Sequence, residues 1–203
     1  MPDLSFELNA NKNGYKFVCG VDEAGRGPLA GPVCAAAVIL PENCVIEGLD
    51  DSKKLTEKKR EALFDKIIEK AVSYCIAYGS LEEIEEYNIL NATYLAMNRA
   101  IQGLQTPADY ALIDGNRVPT NIKVPCETIV KGDAKSMSIA AASILAKVSR
   151  DRLLLDYDKE YPEYQFAKHK GYGTKLHTDL IKQYGPCDIH RLSFLKNILG
   201  ENK

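Results

Sequence analysis

The sequence lacks the long apolar segments that direct a chain to a membrane or across one. Residues 1–12 contain no apolar stretch of signal-peptide length. The longest apolar run, residues 33–40, is far shorter than the roughly 20 residues that a membrane-spanning helix needs. We therefore expect a soluble, cytoplasmic protein without a membrane partner.

The sequence also lacks paired cysteines of the kind that bind zinc. No Cys-x-x-Cys pair is present, and no histidine stands at ligand spacing from a cysteine. Free cysteines in apolar, strand-like stretches behave as small hydrophobic residues. Without a secretion signal we expect reduced thiols and no zinc site at the six cysteines: Cys19, Cys34, Cys44, Cys75, Cys126 and Cys187.

Internal repeats, low-complexity segments and flexible linkers are absent as well, so the 203 residues fit one domain with at most an appendage. A net charge of −2 excludes a protein coated in positive charge. Residues 131–203 are nevertheless basic, with 13 Lys and Arg against 9 Asp and Glu. This local excess, which includes three lysines and no acid within residues 166–177, suits a phosphate-bearing partner. An ordinary solvated face explains the charge equally well.

The hydrophobic pattern predicts an α/β domain with a mixed sheet. The short link over residues 25–32 makes the first two strands an antiparallel pair. Beyond Pro162 the pattern weakens into loops and short helices. Predicted strands cover residues 15–21, 33–40, 74–78, 110–113 and 127–130, and predicted helices cover residues 56–72, 80–104 and 138–157.

Acidic residues follow three of these strands: Asp22 and Glu23, then Asp114, then Asp133. Strand ends are where α/β sheets collect ligands. Carboxylates that converge raise one another's pKa values unless a cation neutralises them. Oxygen donors without Cys or His suit Mg²⁺ or Mn²⁺. Two such ions about 4 Å apart can activate water and stabilise the leaving oxygen in phosphodiester hydrolysis.

Each of these acids also has a structural explanation. Asp114 before Gly115 is a common turn pair, and Asp133 could cap the next helix. Asp22 and Glu23 are neighbours in a strand and point to opposite faces unless the strand kinks. The residues alone therefore leave a metal site and a structural role about equally open.

The glycine-rich stretch after the first acids, residues 25–31, superficially resembles a dinucleotide fingerprint. Pro28 interrupts it, and a strand rather than a helix follows. Glycines on both sides of Arg26 would allow backbone N–H groups and the guanidinium to approach a nucleic-acid backbone. A hairpin loop that needs positive φ values is the alternative.

At the level of motifs, residues 21–33 (VDEAGRGPLAGPV) resemble the opening signature of type 2 ribonuclease H, ribonuclease HII. Any single match would be weak, but the blocks run in family order across nearly the whole chain. The further blocks are residues 51–55 (DSKKL), 113–116 (IDGN), 131–133 (KGD), 138–148 (SIAAASILAKV), 170–174 (KGYGT) and 189–191 (IHR).

The resemblance implies a ribonuclease H-like fold, with a five-stranded mixed sheet flanked by helices and a C-terminal helical extension. Residues 1–160 would form the catalytic domain and residues 161–203 the extension, as one compact, monomeric unit. The implied activity is endonucleolytic hydrolysis of RNA in RNA/DNA hybrids and cleavage 5′ of ribonucleotides embedded in duplex DNA. The products would carry 3′-hydroxyl and 5′-phosphate ends, and one or two Mg²⁺ or Mn²⁺ ions would be required.

The resemblance also implies roles for single residues. The catalytic, metal-binding acids would be Asp22, Glu23, Asp114 and Asp133. The loop residues Gly25, Arg26 and Gly27 would contact the ribonucleotide and its neighbouring phosphate. Tyr172 would pack on the following sugar, and Lys53 and Lys147 would contact phosphates.

The chemistry of these residues agrees with such roles, although it does not require them. A tyrosine supplies a flat face and a hydroxyl, and RNA recognition needs a polar group at the 2′-hydroxyl. Taken alone, Tyr172 is more often a packed surface aromatic. We expect structural or phosphate-binding roles for His169, His177 and His190, and assign none of them to catalysis.

Three rival functions remain open at this point. Type 3 ribonuclease H shares the core but carries an additional N-terminal domain, whereas about 16 residues precede the first strand here. Another nuclease on the same fold would cut a duplex that contains no ribonucleotide. An inactive nucleic-acid-binding module is disfavoured because all four acids are present.

Overall fold

The computed structural model describes residues 2–200. Met1 and residues 201–203, at the ends of the two predicted regions 1–160 and 161–203, lie outside the described residues. The strands are β1 (Val18–Ala24), β2 (Val33–Ile39), β3 (Ser73–Gly79), β4 (Tyr110–Asp114) and β5 (Cys126–Ile129). The helices are α1 (Ser5–Lys12), α2 (Glu57–Lys70), α3 (Leu81–Gln102), α4 (Met137–Glu160), α5 (Phe166–His169), α6 (Lys175–Tyr184) and α7 (Leu192–Leu199).

The five strands form one mixed sheet in the order β3-β2-β1-β4-β5. The first two strands pair antiparallel, as the short loop between them predicts, while β1, β4 and β5 run parallel. The predicted five-stranded mixed sheet flanked by helices is therefore confirmed. Since β1, β4 and β5 point the same way, their carboxyl ends meet at one edge of the sheet.

Helix α3 packs on one face of the sheet, and α2 and α4 pack on the other. Side-chain caps fix where two of the helices begin. The Thr56 side chain accepts a hydrogen bond from the N–H of Lys59, and Ser80 and Glu83 form a capping box. A Cβ at Gly20 would lie 2.1 Å from the backbone of Ser138, so only glycine allows α4 this close to β1. The central sheet is thereby held rigidly beneath α4.

The short helices after α4 pack around a separate apolar cluster that includes Leu154 and Ala30. Ala30 lies in the loop between β1 and β2, so the chain after residue 160 rests on that loop. All six cysteines are free thiols. None of the helices within residues 2–200 combines the length and the apolar character that crossing a bilayer demands.

Candidate active site

The four predicted acids gather at the edge where the parallel strands end. Asp22 and Glu23 lie near the end of β1, whose Val21 is level with Ile113 of β4. Asp114 is the last residue of β4. Asp133 lies in a short 3-10 turn, Gly132–Ala134, between β5 and α4. The N–H of Gly132 donates to Asp114 Oδ1 over 2.6 Å and ties this turn to the strand end.

The strand does not kink between Asp22 and Glu23. Both residues stay in register with β2, opposite Ala36 and Ala35, and the pairing continues to Ala24. Asp22 faces α4, where it lies against Ser143, and its Oδ1 accepts the N–H of Glu23 at 2.7 Å. Glu23 instead faces α3 and reaches over the sheet edge, so the neighbours approach the site from opposite faces.

Burial and like charge act together on these carboxyl groups. Burial raises the pKa of Asp22 well above its usual value, and the charges of Glu23 and Asp114 raise it further. Burial also raises the pKa of Glu23, against the opposing effect of Arg26. The pKa of Asp133 is raised by burial and by Asp114. Such mutual repulsion in a desolvated place is what a bound cation would relieve.

The donor set fits a divalent cation in its chemistry, because it consists of carboxylate oxygens without a competing thiolate. As the side chains are placed, however, no three Asp, Glu, His or Cys groups within residues 2–200 could hold one ion together. One reason is that the side chains of Asp22 and Glu23 lie on opposite faces of the strand. Side-chain rotation is therefore needed before several of these oxygens can bind the same ion.

The loop between β1 and β2 is held by two buried arginines, Arg191 and Arg150. Arg191 donates from its guanidinium to the carbonyls of Gly31, Pro28, Arg26 and Gly25, at 2.6–2.9 Å. Arg150 donates to a further set of carbonyls, those of Pro32, Ala30 and Lys170. The loop backbone therefore has its shape fixed by side chains that come from α4 and from the segment before α7.

The buried arginines explain why residue 25 is a glycine, but they do not explain why residue 27 is one. Gly25 has a φ of +95°, and a Cβ there would lie 2.0 Å from the Arg150 side chain. A Cβ added at Gly27, in contrast, would meet no heavy atom within 4 Å. The absence of a side chain at Gly27 therefore serves no contact within the described protein, and it leaves room for another molecule.

Two adjoining cavities lie between the loop and two of the acids, Glu23 and Asp114. One, of about 340 Å³, lies between Glu23, Arg26 and Asp114 on the α3 side. The other, of about 200 Å³, is lined by residues that include Glu23, Arg26, Lys53, Lys147 and Tyr172. Glu23 and Arg26 line both cavities, and Arg26 Nη1 lies 3.3 Å from Glu23 Oε1.

Tyr172 and the two lysines lie at the rim of the second cavity. Tyr172 is 41% exposed, and the Lys147 ammonium lies 5.6 Å from the centre of its ring. Lys147 also pairs with Asp151 at 2.7 Å. The Lys53 ammonium lies 3.9 Å from Asp133 Oδ2 and is otherwise exposed. Glu23, Asp114, two of the loop residues and the rim residues thus line one continuous region of the surface. Asp22, Asp133 and Gly27 line neither of these two cavities, and both acids are buried.

Several residues of this region are not identified by sequence reasoning. Ser143 contacts Asp22 and shares a hydrogen bond of 2.9 Å with Ser52. Arg191 lies in one of the family-like motifs but has no role predicted for it, and Arg150 lies outside those motifs. Neither arginine carries a local signal of burial, because every carbonyl partner except Lys170 lies more than 100 residues away along the chain.

Comparison with known proteins adds an independent finding. The family model described as Ribonuclease HII matches residues 19–197. A protein named Ribonuclease HII from Caldicellulosiruptor saccharolyticus is 58% identical over 196 residues, which cover 96% of this chain and 95% of that protein. Another of that name, from Endomicrobium trichonymphae, is 55% identical over 202 residues, which cover 98% and 96%.

Solved structures agree on the fold. The crystal structure of ribonuclease H2 from Pyrococcus horikoshii OT3 matches with a TM-score of 0.77 and 27% identity, over 92% of this chain and 98% of that one. The structure of Bst-RNase HIII in complex with Mn²⁺ matches with a TM-score of 0.71 and 17% identity, over 97% and 73%. At that identity the second likeness shows the fold alone.

Proposed function

Because this chain belongs to the ribonuclease HII family and is therefore a ribonuclease H hydrolase, we propose that it cuts 5′ of ribonucleotides embedded in duplex DNA. We propose further that it hydrolyses the RNA strand of RNA/DNA hybrids and leaves 3′-hydroxyl and 5′-phosphate ends. The observation that carries this proposal is the gathering of four acids at one sheet edge beside a clamped glycine loop and an exposed tyrosine.

Asp22, Glu23, Asp114 and Asp133 are the proposed ligands of Mg²⁺ or Mn²⁺, in one or two ions. A bound divalent cation supplies an activated water and neutralises the charge that develops on the phosphate. The protein contributes the geometry of these oxygens. Asp114 Oδ1 accepts the Gly132 N–H, and Asp22 Oδ1 accepts the Glu23 N–H. These two residues would hold the cation once the side chains have rotated toward a shared position.

The glycine loop and the rim residues hold the substrate in this proposal. Gly27 offers a place where the backbone can approach a ribose closely, and the half-exposed Arg26 can reach a phosphate while contacting Glu23. The Tyr172 ring offers a flat face to the following sugar. Lys53 and Lys147 are proposed phosphate contacts, which make binding weaken as salt is raised.

Substitution of Asp114 tests the proposed role of the acids. We expect Asp114→Asn to abolish cleavage while hybrid binding is retained, because the amide keeps the shape and loses the charge that a cation needs. Binding is measured by fluorescence anisotropy and cleavage by gel analysis of a labelled strand. Asp65→Asn, on the exposed side of α2, is the matched control. Unchanged cleavage by Asp114→Asn would refute the metal-binding role.

Substitution of Tyr172 tests ribonucleotide recognition. We expect Tyr172→Ala to reduce cleavage at a single embedded ribonucleotide more than cleavage of a continuous hybrid. In the first substrate the sugar that follows the ribonucleotide belongs to DNA, so the proposed contact of Tyr172 lies at an RNA–DNA junction. Tyr74, which lies in the outermost strand β3, is 37% exposed against 41% for Tyr172, so Tyr74→Ala is the control. Equal losses on the two substrates would count against the junction-sensing role.

A further inference from the structure

Three buried histidines lie directly behind Tyr172. His177, His190 and His169 are at most 6% exposed and surround Phe166. The rings of His169 and His177 stack with their centres 4.2 Å apart. None of these rings reaches the acids, so the proposed chemistry leaves them without a function.

The hydrogen bonds of two of these rings have one consistent arrangement of protons. The Cys187 N–H donates to His190 Nδ1 at 2.9 Å, so neutral His190 carries its proton on Nε2. That proton is donated to His177 Nε2 at 3.0 Å. His177 must then carry its own proton on Nδ1, which donates to the Tyr172 carbonyl at 3.0 Å.

The third histidine supports the same segment from the other side. The Gly171 N–H donates to His169 Nδ1 at 3.2 Å, so His169 Nε2 donates to the Tyr164 carbonyl at 2.8 Å. Burial lowers the pKa of His177 and of His190 to about 4. Both rings are therefore neutral at physiological pH, as this arrangement of donors and acceptors requires.

Both ends of this chain of hydrogen bonds also bind the glycine loop. The Leu29 N–H donates to the Gly171 carbonyl at 2.8 Å, next to Tyr172. On the other side, the Arg191 N–H donates to the Leu29 carbonyl at 2.8 Å, and Ala30 pairs with His190. The bond between His177 and His190 thus closes a ring that includes the loop and the tyrosine segment.

We propose that His177 and His190 are positioning residues that hold Tyr172 at a fixed place relative to the glycine loop. The ribonucleotide contact and the contact to the following sugar are then made by one rigid unit. This inference rests on the proposed role of Tyr172, and it adds that discrimination depends on two side chains that touch neither the substrate nor the metal site.

A cleavage assay provides the first test. His177→Leu removes both hydrogen bonds, whereas His177→Asn keeps a donor close to the former Nδ1 position. We expect His177→Leu to lower the ratio of cleavage at a single ribonucleotide to cleavage of a continuous hybrid by at least about fivefold. We expect His177→Asn to restore most of that ratio. In a variant that already carries Tyr172→Ala, His177→Leu should lower the ratio no further, because its effect passes through Tyr172.

A spectroscopic assay separates this inference from the proposed function. The protein contains no tryptophan, so Tyr172→Trp introduces a single fluorescent reporter at the position in question. We expect His177→Leu to increase acrylamide quenching of this reporter and to lower its anisotropy, without substrate present. Tyr74→Trp, on the far edge of the sheet, should be unaffected by the same substitution.

The outcomes are distinct. An unchanged quenching and anisotropy at residue 172, or an additive loss of the ratio in the double variant, would overturn the positioning role. If Tyr172→Ala leaves the ratio unchanged while the reporter responds to His177→Leu, the proposed role of Tyr172 fails and the positioning role stands. If His177→Leu does not fold, His190→Leu and His190→Gln repeat both assays one hydrogen bond further away, with Gln keeping a donor toward His177.

Discussion

The clamp formed by Arg191 makes a quantitative prediction about the loop it holds. Its guanidinium is fully buried and donates four hydrogen bonds to loop carbonyls. Arg191→Lys keeps the positive charge and much of the length of the side chain, but it replaces the three donor nitrogens of the guanidinium by a single ammonium nitrogen. A lysine ammonium cannot reach all four carbonyls, which lie around the edge of a planar group.

The size of the effect follows from the number of carbonyls left unpaired. If the ammonium satisfies two of the four, two buried acceptors lose their partners, at about 1–3 kcal/mol each. We therefore expect Arg191→Lys to lower the free energy of unfolding by about 3 kcal/mol. For a chain of this size, this loss corresponds to a fall in Tm of roughly 6–12 °C. The protein should remain folded at 25 °C, since domains are commonly stable by about 5–15 kcal/mol.

Thermal unfolding followed by circular dichroism measures this change, and cleavage at a single ribonucleotide, assayed well below the Tm, should fall as the loop loosens. Arg152→Lys is the control, because Arg152 is a half-exposed arginine of the same helix that carries Arg150. Its Tm should stay close to that of the unsubstituted protein. An Arg191→Lys variant with an unchanged Tm would refute the reasoning that these bonds hold the loop.

Further predictions concern burial, charge and close packing. Asp22→Asn should stabilise the protein by about 1 kcal/mol in EDTA while abolishing cleavage. The substitution removes a buried carboxyl group that the neighbouring carboxylates repel. A lower Tm would contradict this. The lowered pKa values of His177 and His190 mean that the unfolded chain binds protons between pH 6.5 and about 4 that the folded chain does not. Stability contributed by each neutral histidine, up to about 3 kcal/mol, should therefore be lost as the pH falls through this range. Urea unfolding at pH 7 and at pH 4.5 tests this. If the free energies of unfolding of the protein and its His177→Asn variant differ by the same amount at both pH values, the result would argue against it. Gly20→Ala should destabilise the protein by about 3 kcal/mol or more, because α4 must shift to make room for the added methyl group. Gly27→Ala should leave the Tm unchanged and reduce cleavage. A normal Tm for Gly20→Ala, or full activity for Gly27→Ala, would show the packing argument to be wrong.

Much of the fold could be predicted because local patterns and global structure agree. Runs of apolar residues located all five strands, and the hydrophobic pattern located α2, α3 and α4. Helix α1 could not be predicted in this way, since its eight residues, Ser5–Lys12, follow Leu4, which provides no side-chain cap. Its Glu7 side chain instead accepts hydrogen bonds from Ser136 and Ser138 at the start of α4, a contact between segments about 130 residues apart.

The acids of the candidate site could be located because each follows an apolar strand. Their relative orientation could not be, since the sequence left open whether β1 kinks between Asp22 and Glu23. The structure shows regular pairing through Ala24, so the two side chains approach from different faces. The surrounding supports could not be predicted. The burial of Arg191 depends on carbonyls about 160 residues away, and the hydrogen bond between His177 and His190, 13 residues apart, depends on how the short C-terminal helices pack.

The central claim is that this ribonuclease H recognises and cuts at a single ribonucleotide within DNA. The most direct measurement uses the unsubstituted protein and a labelled DNA duplex that contains one ribonucleotide, with Mg²⁺ and with EDTA, beside an identical duplex made only of DNA. We predict one cut, on the 5′ side of the ribonucleotide, with a 3′-hydroxyl and a 5′-phosphate at the new ends, only when Mg²⁺ is present. Equal cutting of the all-DNA duplex, cutting in EDTA, or no cut at the ribonucleotide would contradict the account.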